Sequence, residues 1–483
     1  MPPRLALLIS TAFVLYMVFY YDRKRQMITG SRALWWPTIW YMVVTSRPIG
    51  VWLSMWGVPL PGGGGGDATD GSLVDRLFFG VLTGVGLWIL SRRRFDWGIA
   101  LRMNPWLTAI IAFMALSILW SQFPFVSFKR FVKMIGSVVM AMVVLTEENP
   151  REAFLTVIRR CFYVHLPMSI ICIKYFRDIG VEWGWNGSVT MWSGISTSKN
   201  VLGQVALLGA LYFFWEVRKR WAELRWRNLH LLYLLMTVYL LKGSDNSVSL
   251  TSVSVCVFAL TVFLRLQSLR FRPDLVPRFV KIVFYSVTAL VVLVLVHSVV
   301  LFSADSFFGH IITAFGRDIT LTDRTYIWHD CYAAVGNPLL GVGFGAFWIG
   351  RLANIPWNAH MTWVLGQSHN GYIETYLQLG LIGGGLLAGV MFSARPKLLA
   401  SLTDDFDFGC FRVTLFLTLL LINITESTYI RGDHHLWLIL MIITWAVPSA
   451  HQTAPISQTA DNWSTEEQAE DQICETKNAW CRV

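Results

Sequence analysis

A short polar stretch, Gln367-Ser368-His369-Asn370, stands directly before an apolar run that begins near Gly371. Ser368 or Asn370 can cap a helix that begins there, because a short oxygen-bearing side chain accepts the free N–H groups of a first turn. The start of a helix carries partial positive charge, so His369 is expected at a polar mouth beside a natural anion site. A neutral imidazole in that place can take a proton from a hydroxyl group. The alternative is a histidine that makes only a structural hydrogen bond within a capping loop.

Arg324 lies in the segment TLTDRTYIWHD (320–330), which has the pattern of another helix start. Thr322 or Asp323 is expected to cap that helix, so that Arg324 falls in its first turn. The planar fork of an arginine suits a phosphate better than the point charge of a lysine does. The alternative for Arg324 is an ion pair with Asp318 or Asp323.

Other cations stand at the ends of apolar segments on the side that the charge pattern predicts to be outer, where membrane proteins usually carry few. A cation kept against that bias suggests an anionic partner, either a lipid head group or a diphosphate. The alternative for each one singly is an interfacial side chain that reaches up to water. The candidates of this kind for substrate binding are Arg130, Lys199, Lys242, Arg317 and Arg431. The histidines and Asp330 of this region match no familiar ligand spacing, so we expect no metal.

The composition indicates which elements must position these residues. Of 483 residues, 54% are hydrophobic and 14% are charged, whereas about one quarter of an average soluble domain is charged. Apolar runs of about 17 to 25 residues recur as far as position 448, so the sequence predicts an all-α, polytopic integral membrane protein with about twelve or thirteen transmembrane helices. The net charge of +10 is then no nucleic-acid signal, because in such proteins the location of Lys and Arg matters more than their sum. The seven cysteines form no CxxC pair, so neither a disulfide framework nor a zinc site is expected.

Basic clusters between the apolar runs set the predicted sidedness. The cytoplasmic ends are marked by the clusters at 23–25, 92–94, 159–160, 218–227, 265–272 and 395–397. An odd number of spans places the N-terminus outside, and twelve spans place both termini inside. The longest outer segment, 303–371, is then a periplasmic loop, and within it NPLLGVGFGAF (337–347) is expected to be flexible or re-entrant. The first apolar run, 5–21, is predicted to be an anchor rather than a removed signal peptide.

Two stretches, DRTYIWHDCYAAVGNPLLGVGFGAFW (323–348) and SHNGYIETYLQLGLIGG (368–384), resemble the O-antigen ligase and polymerase superfamily of bacterial inner-membrane glycosyltransferases. The shared pieces are an Arg-Thr-x-x-Trp start, a Pro-Leu-x-Gly-x-Gly middle and a His-Asn-x-Tyr close, in that order. Two further stretches, GISTSKNVLGQ (194–204) and NITESTYIRG (423–432), are similar to the exopolysaccharide-polymerase branch. The resemblance adds further candidates for substrate binding, namely Asn200, Asn370, Tyr372 and Glu426.

The resemblance implies a GT-C-like membrane enzyme that takes a glycan from an undecaprenyl-diphosphate donor and joins it to an acceptor hydroxyl, without a metal, another cofactor or a nucleotide sugar. Its expected catalytic residues are Arg324, which corresponds to a family arginine that binds the diphosphate, and His369, which corresponds to a histidine proposed to activate the acceptor. A second family arginine, in a Ser-Arg context, has no counterpart, because the place reads LLKGSDNS. Lys242 is the nearest cation there, and Lys199 or Arg130 is the alternative.

The resemblance also predicts how the chain is organised. The expected parts are an N-terminal transmembrane bundle (1–234), an O-antigen ligase-related domain (235–390) that includes the periplasmic loop, C-terminal transmembrane helices (391–448) and a disordered cytoplasmic tail (449–483). The active site is expected at the periplasmic face of the bacterial inner membrane. The expected partners are the lipid bilayer, the undecaprenyl-diphosphate-linked glycan and other polysaccharide export or assembly proteins, with no nucleic acid.

Two other classes of function stay open. A polyprenyl-glycan transporter or flippase predicts repeat symmetry and acidic residues at mid-membrane, and neither is evident in the sequence. A non-catalytic scaffold of a polysaccharide assembly complex does not need the His-Asn and Arg-Thr motifs together. For an enzyme, both polymerisation and ligation are open, and polymerisation is favoured.

Overall fold

The computed structural model describes residues 2–22, 31–58, 72–183, 190–244, 247–300, 324–349 and 366–446. These residues form helices with short connections between them, together with one two-stranded hairpin. The all-α architecture is therefore confirmed. The predicted tail 449–483 and Arg317 lie outside the described residues, as do Thr322 and Asp323, the expected caps before Arg324.

The helices before the hairpin are α1 (Pro3–Leu15), α2 (Trp35–Thr45), α3 (Ile49–Met55), α4 (Leu73–Arg92), α5 (Trp97–Met103), α6 (Pro105–Leu116), α7 (Pro124–Leu145), α8 (Pro150–Tyr175) and α9 (Arg177–Gly180). A π-helical segment, Tyr16–Tyr21, continues α1. Short 3-10 helices precede α2 at Arg32–Leu34 and follow α6 at Ser117–Trp120. The hairpin pairs β1 (Val181–Trp183) with β2 (Thr190–Trp192) in antiparallel register.

The helices after the hairpin are α10 (Lys199–Lys219), α11 (Leu224–Gly243), α12 (Ser247–Ser268), α13 (Leu275–Val300), α14 (Arg324–Ala334), α15 (Gly371–Asp404), α16 (Phe406–Ile422) and α17 (His435–Thr444). Buried helices lie at the centre of the bundle: 83% of the apolar stretch of α10 and 78% of that of α8 is buried, against 22% for α4 and α13. The last two therefore present most of their apolar surface to the surroundings, as helices that face lipid do.

Six helices of the described residues are long and apolar enough to cross a membrane, or seven if α5 and α6, which meet at an angle of 99°, form one span. This finding confirms a polytopic membrane protein, with fewer such helices than the twelve or thirteen expected. One reason is that the apolar run 33–55, which the sequence predicts to be a single span, is divided into α2 and α3 at Pro48, since a proline lacks the N–H that would continue a helix. A second reason is that α17 is only 10 residues long.

The long helix α15 is broken at Gly380, whose φ of 64° and ψ of −164° are not helical. The segment 337–345, called the glycine segment below, fills this break. The Gly343 N–H donates to the Gln378 carbonyl at 2.9 Å, and the Leu381 N–H donates back to the segment at 2.8 Å. The backbone groups that the break frees are thus satisfied. These hydrogen bonds order the segment, so the expectation that it is flexible is wrong, and the re-entrant alternative stays a prediction.

Candidate active site

The turn before α15 carries His369. The Asn370 side chain caps the helix by accepting the N–H groups of Tyr372 and Ile373 at 3.0 and 3.1 Å. Of the two caps that the sequence left open, Asn370 is therefore the one used. The Ser368 hydroxyl donates instead to the Asn370 carbonyl at 2.9 Å.

His369 itself has a φ of 54°, in the left-handed region that non-glycine residues seldom adopt. Such a conformation costs about 1–2 kcal/mol and persists only where the surroundings determine it. Hydrogen bonds on both sides do so: the Ser368 N–H donates to Glu374 Oε2 at 2.9 Å, and the Asn370 N–H donates to Ser427 Oγ at 3.0 Å. The position of the imidazole is therefore fixed by its neighbours rather than by local preference.

A second loop, 423–434, connects α16 to α17 and lies against this turn. The Gly371 N–H donates to the Asn423 carbonyl at 2.9 Å, and Asn370 Nδ2 donates to the Ile424 carbonyl at 3.0 Å. The loop is thereby held in register with the start of α15. This register brings Glu426 to His369, with 3.9 Å between Glu426 Oε2 and His369 Nδ1.

Arg324, the first residue of α14, reaches the same carboxylate. Its Nη2 lies 3.1 Å from Glu426 Oε1, and its Nη1 donates to the Thr425 carbonyl. Asn200, in the first turn of α10, donates from Nδ2 to the same Oε1 at 3.1 Å. Four of the predicted site residues, Arg324, His369, Asn200 and Glu426, therefore meet in one cluster. The partner that the structure gives Arg324 is Glu426, while Asp318 and Asp323 lie outside the described residues.

The Glu426 side chain is only 7% exposed. Burial alone raises the pKa of its carboxyl, since the charged form loses water. The interaction with the His369 side chain and the positive charge of Arg324 lower that pKa by more, so it lies below the ordinary value of 4.5. Glu426 is therefore a buried carboxylate that stays ionised at neutral pH.

Arg431 joins the cluster through Gln367. Gln367 Oε1 accepts the Arg431 Nη1–H at 2.9 Å, which fixes the orientation of the amide group. The Gln367 amide nitrogen then lies 3.3 Å from His369 Nδ1. Arg431 Nε is also 3.7 Å from Asp433, a carboxylate of the same loop that is half exposed. The predicted residue Arg431 therefore contacts the imidazole indirectly.

The helices α10, α14, α15 and α17 all begin at this cluster, which we call the site end of the bundle. Their residues Asn200, Arg324 and the capping Asn370 make the contacts described above, and His434 caps α17. Helix N-termini carry partial positive charge and free N–H groups, and they favour anions. The site end therefore combines several sources of positive potential around one buried carboxylate.

The remaining predicted cations lie elsewhere. Arg130, on α7, donates from Nη1 to the Gly345 carbonyl and so holds the glycine segment. Lys199 lies against the Met191 sulfur of the hairpin. Lys242 makes no hydrogen bond or ion pair with the cluster among the described residues, and the Trp192 ring packs over its neighbour Gly243. Which of these three replaces the second family arginine stays a prediction.

Tyr372, the last of the predicted residues, points away from the cluster into the bundle. Its hydroxyl donates to the Leu420 carbonyl at 3.0 Å and lies 3.3 Å from the Tyr429 hydroxyl. It therefore packs α15 against α16. The structure gives it no contact with Glu426 or His369 among the described residues.

Sequence reasoning missed two residues that shape the site, Gln367 and Glu374. Gln367 stood in the quoted polar stretch, but its role depends on Arg431, which is 64 positions away in the chain. Glu374 carried a usable signal, because an acidic residue one turn inside an otherwise apolar helix requires a polar partner. Its three partners, Trp348, Ser368 and Gln378, lie on three parts of the chain.

The comparisons with known proteins agree with the motifs. Residues 246–388 match the family model described as O-antigen ligase, a range that includes Arg324 and His369. The chain is also 25% identical over 312 residues to the exopolysaccharide production protein ExoQ of Rhizobium meliloti (strain 1021). The aligned region covers 62% of this chain and 67% of that protein. Together the two matches show that part of this multi-pass membrane protein is similar to the O-antigen ligase family and to an exopolysaccharide production protein.

Proposed function

We propose that the chain is a glycosyltransferase that polymerises or transfers an oligosaccharide linked to undecaprenyl diphosphate, with an acceptor hydroxyl as the other substrate. The site end faces the periplasm at the bacterial inner membrane, and exopolysaccharide or O-antigen synthesis is the setting. The family match and the similarity to ExoQ support this class of reaction. The observation that carries the residue assignment is the cluster of Arg324, Glu426 and His369 at the site end.

The donor diphosphate binds where α10, α14, α15 and α17 begin. Helix N-termini and guanidinium groups are both suited to a diphosphate, and Arg324 and Arg431 supply two such groups there. The polyprenyl chain stays in the bilayer beside the bundle. Cations that neutralise the diphosphate make it a better leaving group.

His369 acts as the general base on the acceptor. Its ring nitrogen takes the proton of the acceptor hydroxyl, and that oxygen forms a new bond to the anomeric carbon of the donor sugar. The bond from this carbon to the diphosphate oxygen breaks, and the diphosphate leaves with the electron pair. The proposed reaction uses no metal and no other cofactor, because alignment of the two reactants and charge neutralisation supply the catalysis.

Polymerisation is favoured over ligation. The stretches 194–204 and 423–432, which resemble the exopolysaccharide-polymerase branch, supply Asn200 and Glu426 to the cluster. The curated relative is named for exopolysaccharide production. Other polysaccharide export and assembly proteins are the proposed partners.

Complementation of a deletion strain tests the proposal. Wild-type protein restores polymer, and His369→Ala at the same protein level does not. His329→Ala is the matched control, because His329 is an exposed histidine on α14 whose side chain lies beside its neighbour Asp330. Accumulation of single lipid-linked repeat units in the deletion strain indicates a polymerase, and accumulation of intact long chains indicates a ligase. Polymer restored by His369→Ala overturns the assignment and favours a scaffold.

A further inference from the structure

Arg324 is already occupied in the structure described here. Both terminal nitrogens of its guanidinium group contact the 423–434 loop, through the Thr425 carbonyl and Glu426 Oε1. A carboxylate and a diphosphate are both oxyanions that bind this fork, and two like charges on one guanidinium repel each other. A donor diphosphate that uses the Arg324 fork must therefore separate Arg324 from Glu426.

The histidine is held at the same time in the tautomer that cannot act as a base at Nε2. Arg431 fixes the Gln367 amide so that its nitrogen, a donor, faces His369 Nδ1 at 3.3 Å. Nδ1 then accepts a hydrogen bond, and the ring proton lies on Nε2. Glu426 Oε2 lies 3.9 Å from Nδ1, beyond hydrogen-bond distance.

We propose that Glu426 is a resident counter-anion of Arg324 which the donor diphosphate displaces, and that the released carboxylate closes onto His369 Nδ1. This inference rests on the proposed function and adds an order of events to it. A carboxylate at Nδ1 accepts a hydrogen bond from Nδ1–H, which favours the tautomer whose ring proton lies on Nδ1 and leaves Nε2 as the free base. The same carboxylate stabilises the imidazolium that forms when the acceptor hydroxyl gives up its proton. The donor must therefore bind before the acceptor is activated, and Glu426 is a positioning residue that links the two events.

The movement required is small. Shortening the distance from 3.9 Å to a hydrogen bond takes about 1 Å, which a loop can supply. Glu426 Oε1 is also held by Asn200, so the carboxylate can rotate about that contact while Oε2 approaches the ring. The turn that carries His369 does not have to move.

Direct binding of farnesyl diphosphate to the purified protein in detergent tests displacement. Glu426→Gln removes the competing charge and is expected to bind farnesyl diphosphate about tenfold more tightly than wild type, while turnover falls by at least about a hundredfold. Glu216→Gln is the matched control, because it removes the same charge from a buried carboxylate that pairs with Arg220, away from the site end. Its affinity for farnesyl diphosphate is expected to change less than about threefold, because Glu216 contacts neither arginine of the proposed diphosphate site.

The outcomes separate this inference from the proposed function. If Glu426→Gln binds no more tightly than wild type while Arg324→Ala loses binding, the diphosphate site stands and displacement is overturned. If Arg324→Ala binds as well as wild type, the diphosphate site is wrong, and displacement is overturned with it.

Nitrogen-15 NMR of labelled histidine reports which ring nitrogen of His369 carries the proton. A purely structural role of Glu426 predicts no change in that tautomer when farnesyl diphosphate binds. The His369 proton is expected on Nε2 without farnesyl diphosphate and on Nδ1 with it, and an unchanged tautomer contradicts the switch.

Discussion

The carboxylate of Glu374 accepts the backbone N–H of Ser368 at 2.9 Å, so a residue one turn inside α15 holds the turn that carries His369. The same carboxylate accepts the Trp348 indole N–H and the Gln378 amide N–H, both at 2.8 Å. Its side chain is buried, and its three donors lie on separate parts of the chain. Glu374 therefore connects the histidine turn to the residues that follow the glycine segment.

Glu374→Gln is expected to lower turnover by about tenfold, with little change in affinity for the lipid-linked donor. The glutamine oxygen can still accept from Trp348 and Gln378, but its NH₂ group faces the Ser368 N–H and leaves that donor unsatisfied, which costs about 1–3 kcal/mol. Steady-state assays in proteoliposomes measure the effect. If Glu374 acts through His369, the double variant Glu374→Gln/His369→Ala is expected to lose no more activity than His369→Ala alone.

The control for Glu374→Gln is Glu216→Gln. Glu216 is likewise a buried carboxylate, held by Arg220 at 3.1 Å, but it lies near the C-terminal end of α10, away from the site end. Its replacement is expected to lower thermal stability without changing turnover. Fully additive losses in the Glu374 and His369 double variant contradict a positioning role for Glu374.

His369→Gly and His369→Ala separate backbone strain from chemistry. Both variants lack the imidazole and are expected to be inactive. The glycine variant should be more stable by about 0.5–1 kcal/mol, because a φ of 54° costs alanine but not glycine, and the greater freedom of unfolded glycine offsets part of the gain. Thermal unfolding in detergent measures the difference. Equal stability shows that the turn relaxes once the ring is gone.

Arg324→Lys is expected to be nearly as damaging as Arg324→Ala. The two terminal nitrogens of Arg324 serve two acceptors, Thr425 and Glu426, and a lysine has one nitrogen with no planar fork. Polymer yield in the complemented deletion strain gives the comparison. A lysine variant that keeps most of the wild-type yield shows that only positive charge is needed at this position.

The ionised Glu426 should make a pH-dependent contribution to stability. Its folded-state pKa lies below the ordinary value of 4.5, so the contribution is present above 4.5 and is lost as pH falls through the folded-state pKa. Wild type is therefore expected to lose thermal stability below about pH 4.5 more steeply than Glu426→Gln. Parallel curves for the two proteins over this range mean that another group controls the acid transition.

A pair of exposed tryptophans tests which side the site end faces. Trp183, on the hairpin next to α10, is 60% exposed, and Trp221, between α10 and α11, is 62% exposed. In a cysteine-free background, a membrane-impermeant thiol reagent is expected to label Trp183→Cys in intact spheroplasts and Trp221→Cys only after permeabilisation. The reverse pattern places the cluster in the cytoplasm and removes the periplasmic assignment.

Local features of the site could be predicted from the sequence. The helix start at Gly371 and its cap follow from capping chemistry, which involves neighbouring residues only. The partner of Arg324 could not be found in this way, because Glu426 lies 102 positions further along the chain and Asn200 lies 226 positions before Glu426. The residues around Arg324 in the sequence do not show whether its guanidinium group is free to bind a phosphate or is already bound to a carboxylate.

The fold was predictable in class but not in detail, for a similar reason. Hydrophobic runs identify membrane helices well, yet a run does not show whether a proline such as Pro48 divides it. For the glycine segment, which was expected to be flexible or re-entrant, the sequence could not decide, because glycines are equally consistent with flexibility and with close approach of two backbones. At Gly343 the close approach applies, since a side chain there would collide with Ser121.

The break in α15 divides the helix into two mechanically separate parts. Residues 371–379 are fixed by the loops of the site end, and the hydrogen-bond ladder stops at Gly380 before the part that ends at Asp404 begins. Transmembrane helices respond to a thicker or thinner bilayer by changing their tilt. We expect such a tilt of 381–404 to be taken up at the interruption instead of being passed to the histidine turn. Turnover is then expected to be nearly the same in short-chain and long-chain lipids.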